Sequence, residues 1–279
     1  TDPVKRAYLE LHVAVLLLGL TAILGDLIRL PALSLVWWRL LMTFFSLLLL
    51  IRGGRRLRRV PRRLLWRYMG IGVVAGLQWL TFYGAIKWAN ASLTLVAMAT
   101  ASFFTALLEP LLLRQRVKGY EMALGLFILP GMGLVVGGIQ LDMLDGLGLG
   151  LLSAFLAASF STLNKKYVGQ SNEIDVTFIE LSSAWFFFSA VIPVYHMFAD
   201  ESLMFWPTPA DWWYLLVLAL LCTTVAYVLA LRSLRYLSAF ASNLTVNLEP
   251  IYGIALAWVI LDDNQELSVS FYAGVLLIL

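Results

Sequence analysis

Along the chain of 279 residues, long apolar runs alternate with short polar breaks, and the runs define the elements. Ten runs stand out, over 7–28, 33–51, 68–89, 92–113, 119–138, 147–166, 174–197, 212–231, 236–261 and 269–279. As helices rising about 1.5 Å per residue, the first nine are long enough to cross an apolar layer of about 30 Å. The last would reach only about 17 Å, so the tenth helix is expected to be truncated in this sequence. The pattern predicts an all-α polytopic membrane protein with ten transmembrane helices. One run is unusually polar. The ninth carries Asn243, Thr245, Asn247 and the pair Glu249-Pro250 in its middle. Polar groups at membrane depth are costly and usually face a protein interior or a water-filled path. Wound as one continuous helix, this run puts Asn243 and Asn247 on one face and Ser242, Thr245 and Glu249 on nearly the opposite one.

Composition sharpens the class. The chain is 61% hydrophobic and 13% charged, about half the charge of a soluble domain. Seventeen of the 20 basic residues fall on one side of the predicted layer, eight of them arginines between Arg52 and Arg67. By the positive-inside rule that side is cytoplasmic, which places both termini there and makes the run a topology signal, with no nucleic-acid partner implied. The expected location is a bacterial inner membrane. Cys222 is the only cysteine, which excludes an intrachain disulfide and a cysteine metal cluster. His12 and His196 are the only histidines and lack spaced partners; HExxH, GxSxG and GxxxxGK[ST] patterns are absent. Neither a metal or serine hydrolase nor direct ATP drive fits, and no cofactor or metal is expected. The chain is read as a non-enzyme.

An internal repeat is visible. Lys87-Trp-Ala-Asn-Ala-Ser aligns with Arg235-Tyr-Leu-Ser-Ala-Phe at an offset of 148, so spans one to five correspond to spans six to ten. Five is odd, so the second copy is upside down. The expected organisation is two inverted five-helix repeats, 1–138 and 147–279, the architecture of many alternating-access transporters.

Candidate chemistry follows from the polar positions within the spans. Asp26 and Arg39 in the first copy map near Lys165 and Glu180 in the second, with the signs exchanged. Two ion pairs, Asp26–Arg39 and Lys165–Glu180, could latch opposite sides of the layer; local packing of each charge is the competing reading. Buried carboxylates can hold a proton near neutral pH, and Glu249, the most central, is the first candidate for coupling to a proton gradient. Trp37, Gln78, Trp79, Tyr83, Ser102, Ser159, Trp185, Asn243 and Asn247 are the candidate lining of a substrate cavity. Amides can bind a zwitterion's ionic groups while rings hold its apolar part. Gly72-xxx-Gly76 and Gly133-xxx-Gly137 have the spacing of close helix contacts.

The segments Val36-Trp-Trp-Arg39, Ala101-Ser-Phe-Phe-Thr-Ala-Leu-Leu-Glu-Pro110 and Asn247-Leu-Glu-Pro-Ile-Tyr-Gly253 carry a family likeness over the whole chain. It resembles the drug/metabolite transporter superfamily, specifically the EamA-type ten-helix permeases. That resemblance implies a secondary transporter, an exporter of small organic metabolites with amino acids or related zwitterions favoured. The partners would be a small-molecule substrate, the lipid bilayer and protons as the candidate coupling ion, in a monomer or weak homodimer. An intramembrane enzyme and a receptor or scaffold are the rival classes. The family often closes its fourth and ninth spans on Gly-Glu; here those positions read Arg114-Gln115 and Asp262-Asp263.

Overall fold

A computed structural model describes residues 2–51, 60–137, 141–198, 203–249, 251–253 and 256. The predicted tenth span, the end of the ninth and the arginines between 52 and 59 lie outside the described residues. Within them, every regular element is helical. The helices are α1 (Pro3–Leu27), α2 (Ala32–Leu50), α3 (Arg62–Trp88), α4 (Ala91–Met98), α5 (Ala101–Leu113), α6 (Gly119–Gly137), α7 (Leu144–Tyr167), α8 (Glu173–Phe198), α9 (Pro209–Ala219), α10 (Ala226–Ser233) and α11 (Ala239–Val246). Among the described residues, seven passages are long and apolar enough to cross a membrane: α1, α2, α3, α4 through α5, α7, α8, and α9 through α10. Their outward positions, among them Leu49, Leu111, Leu152 and Phe198, are apolar and exposed, as a lipid-facing surface requires.

Local sequence explains the helix starts. Pro follows Asp2 at the head of α1, and the Asp2 carboxylate accepts from Val4 N at 3.0 Å. Thr208 and Asp211 form a reciprocal capping box at α9. Asp211 also accepts from Arg29 N at 3.0 Å, which ties the α1–α2 turn to α9.

Three passages depart from continuous α-helix. Between α4 and α5 the chain turns at Ala99 and Thr100, whose N–H groups reach back only three residues, to Val96 O and Ala97 O, both at 3.1 Å. After α11 it turns again at Asn247 and Leu248, with Leu248 N on Thr245 O at 3.1 Å. The sequence explains the second turn: proline at 250 has no N–H for the carbonyl of Val246. Between α9 and α10, Leu220–Val225 is π-helical. There the hydroxyls of Thr223 and Thr224 bond carbonyls five residues back, Leu218 O and Ala219 O.

α3 runs along α7 and α8, α2 packs on α8, and α1 packs on α10. Gly72 is the point of closest approach, since a Cβ there would overlap the Glu180 carbonyl and the Ser183 hydroxyl. Gly76 faces Phe188 and Ala184 in the same seam. The second expected glycine contact is not formed at Gly133, which faces open space. At one end of the bundle Arg6 and Arg232 share Glu10, at 2.9 and 3.6 Å, and Arg235 pairs with Glu173 at 2.6 Å.

Two stability changes follow. Gly72→Ala should cost about 1–3 kcal/mol by overpacking, read as a lower Tm in detergent, whereas Gly70→Ala, with nothing near its Cβ position, should leave Tm unchanged. Arg114 ends α5 in the left-handed region at φ 54°, where glycine carries no steric penalty. Arg114→Gly should therefore raise stability by about 1 kcal/mol, measured the same way.

Candidate functional site

The bundle holds a cavity of about 150 Å³. Leu18 and Thr21 of α1, Arg39 of α2 and Met98 of α4 line one part of it. From α3 come Gln78, Trp79 and Phe82. Phe160 and Ser161 of α7, Cys222, Tyr227 of α10, and Ser242, Asn243 and Glu249 complete the rest.

Arg39 is 1% exposed. Its guanidinium carbon lies 3.7 Å from the centroid of the Trp79 ring. Its Nε donates to Thr223 Oγ1 and its Nη1 to the Tyr83 hydroxyl, both at 2.7 Å. A ring face and two hydroxyls thus hold the charge through cation–π attraction and hydrogen bonds. Among the described residues no carboxylate forms an ion pair with it. Glu249 faces the same cavity, likewise without an ion pair.

Ser242, Val246 and Glu249, spaced i, i+4 and i+7, share one helix face, and with Asn243 at its edge they meet the one cavity. Asn243 Nδ2 donates to Thr105 Oγ1 and Ser161 Oγ, both at 2.7 Å, joining α11 to α5 and α7. Gln78 Nε2 donates to Ser153 Oγ at 3.0 Å.

The structure sorts the other expected lining residues. Tyr83 stands behind Arg39 as its hydroxyl partner. Ser102 is fully buried beside Asn247. With its amide nitrogen turned toward them, Asn247 donates to Ala99 O at 3.2 Å and to Ser102 Oγ at 3.1 Å, so it fastens one interrupted helix to the other. Trp37 and Trp185 are not on the cavity. They belong to an aromatic cluster, 5.9 Å apart, with Phe205 against Trp37 and Phe44 stacked on Trp185. Ser159 bonds back to Phe155 O on its own helix at 2.9 Å.

Neither expected latch is formed. Asp26 is exposed at the end of α1, while Arg39 is taken by Tyr83, Thr223 and Trp79. Lys165 Nζ donates to Leu234 O at 2.8 Å. Glu180 accepts from the Tyr227 hydroxyl at 2.5 Å and from Asn164 Nδ2 at 3.3 Å. Glu109 is occupied at the head of α11, where its carboxylate accepts from Ala239 N at 3.2 Å and Phe240 N at 2.7 Å.

Sequence reading missed Tyr227 and Phe160 at the cavity. Tyr227 had a signal, because it stands 148 residues after Trp79, the same offset as the visible repeat; the two rings meet edge-on at 6.3 Å. Nothing in the sequence distinguished Phe160 from other apolar helix positions.

Apolar helices around a charged internal chamber form the body of a membrane transport protein. Residues 5–137 and 144–279 each match the model of the EamA-like transporter family, and the chain belongs to that family. It is thus a multi-pass membrane transporter of the drug/metabolite type. No curated protein gives a significant match. A crystal structure, described only as that of a protein, superposes with a TM-score of 0.71 at 17% identity. The match covers 98% of this chain and 94% of the other, and it supports the fold alone.

Because Asn247 joins two interrupted helices, Asn247→Ala should lower stability by about 1–3 kcal/mol through the buried groups left unpaired. Thermal unfolding of the purified variant checks this, with Ser159→Ala as the neutral comparison.

Proposed function

We propose a secondary transporter that moves small zwitterionic organic metabolites, amino acids with apolar side chains foremost, outward across a bacterial inner membrane by alternating access and in exchange for protons. One observation carries the substrate class. Arg39 and Glu249, side chains of opposite charge type, line a single cavity and form no salt bridge with each other. A zwitterion supplies a carboxylate for the guanidinium and an ammonium for the carboxylate, and leaves no net charge buried. The rings of Trp79, Phe82, Phe160 and Tyr227 then take its apolar part.

Alternating access is supported by correspondences between residues 1–138 and 147–279. At the offset of 148, Asn90 matches Ser238, and both cap a helix: Asn90 accepts from Leu93 N at 2.7 Å and Ser238 from Ala241 N at 3.0 Å. The turn at 99–100 matches the turn at 247–248. Packing repeats as well, with α1 on α10 as α7 is on α3, and α2 on α8. These matches favour two inverted repeats, in which ten helices would rock around a central site. Both termini would then lie in the cytoplasm, on the side of the arginine-rich loop.

Uptake of a labelled amino-acid panel into liposomes tests the reading. Leucine and phenylalanine should exchange, while their decarboxylated or deaminated analogues should compete at least about tenfold less well, since each leaves one buried charge unmatched. Arg39→Gln and Glu249→Gln should each reduce exchange by about tenfold or more with folded yield retained. Exchange unaffected by both substitutions would sink the assignment.

A further inference from the structure

We infer that the transported proton is held at Glu180, outside the substrate cavity, and that Tyr227 connects the two; this rests on the transporter reading above. Glu180 sits in the interior of α8 and is 0% exposed. Among the described residues it has no ion-pair partner, so no fixed cation balances a charge there. Its Oε2 receives two hydrogen bonds, from Tyr227 and Asn164, while its Oε1 receives none. Asn164 is also 0% exposed, and its amide oxygen is the second buried atom of this pair without a partner.

Two orphaned oxygens on side chains already bonded to each other lack a hydrogen. A proton on Oε1 supplies it. The pair becomes an acid and an amide, in which Asn164 Nδ2 donates to Oε2 and the new hydroxyl donates to the amide oxygen. The charge balance is simple: one proton enters, one carboxylate is neutralised, and nothing is oxidised or reduced. Two oxygens are too few to enclose a metal cation, which takes about six. A proton therefore suits the site better.

Among the described residues, Tyr227 of α10 and Tyr68 of α3 are ionisable groups that face Glu180. On α7, Lys165 beside Asn164 is engaged with Leu234 O. The cation of α2, Arg39, is held by Tyr83, Thr223 and Trp79. On α8 itself, Glu173 pairs with Arg235 at the end of the bundle, and Asp175 lies five residues before Glu180.

The link to the cavity is direct. The Tyr227 hydroxyl holds Glu180, its ring lines the cavity, and that ring touches Trp79, on which Arg39 lies. At offsets of 141 and 148, Arg39 with Trp79 in one half answers Glu180 with Tyr227 in the other. One half places its charge at the cavity for substrate; the other places its charge one residue behind the wall for the proton.

Infrared difference spectroscopy of the lipid-reconstituted protein, titrated with protons and no solute, provides the test. A protonated-carboxyl stretch should be present in the unmodified protein and in Glu249→Gln, and absent from Glu180→Gln. In liposomes, Glu180→Gln should retain exchange of the labelled amino acids within about twofold, yet lose about tenfold or more of the accumulation driven by a pH gradient. A stretch that survives Glu180→Gln, or undiminished accumulation by that variant, overturns the proposal. If no panel member exchanges while the stretch still belongs to Glu180, the proton site stands and the zwitterion-transport reading falls.

Discussion

In a bilayer interior, a backbone N–H or C=O without a partner has no water to turn to. Two helical passages, α4 into α5 and the one that α11 begins, are nonetheless interrupted, and the constraint decides how. Each interruption is closed by tight three-residue hydrogen bonds, and the Asn247 amide spans from the second turn to the Ala99 carbonyl in the first. The two interruptions therefore touch, and the residues next to them, Met98, Asn243 and Glu249, contribute to one chamber.

A second constraint concerns charge. A buried ion pair would satisfy Arg39 and Glu249 at once but leave nothing for a ligand to do. Here the guanidinium is held by a ring face and hydroxyl oxygens, which stabilise a cation without cancelling it. Glu109 shows the contrasting solution. Both of its oxygens are spent on the N-terminus of α11, so it is a structural carboxylate despite its depth. Glu109 caps a helix, Glu249 faces the cavity and Glu180 stands behind it.

The first eight helical passages were legible in the sequence because a run of 20 apolar residues has few other uses, and their observed bounds agree with the apolar runs to within a few residues, except where α3 extends back to Arg62. The cavity was legible in part. Gln78, Trp79 and Asn243 could be picked out because a polar or aromatic group at midspan needs a reason. The latches failed for a physical cause: an arginine reaches far enough to choose among several partners, and sequence spacing says nothing about the Tyr83 and Trp79 surfaces offered by α3. The turn at Ala99 and Thr100 carries no proline or glycine and left no mark. Ser242 and Glu249 share a face on a helical wheel, and both line the cavity; the turn at 247–248 was foreshadowed only by Pro250.

The π-helical stretch before α10 gives that helix an unusual place between the buried charges. Thr223 holds Arg39, and Tyr227, one turn further on, holds Glu180. A π-helical insertion is rare and is often found at functional sites. Here it leads directly into the helix that sets the grip on the cation and the grip on the acid one turn apart, so a single element ties the cavity's charge to the acid behind its wall.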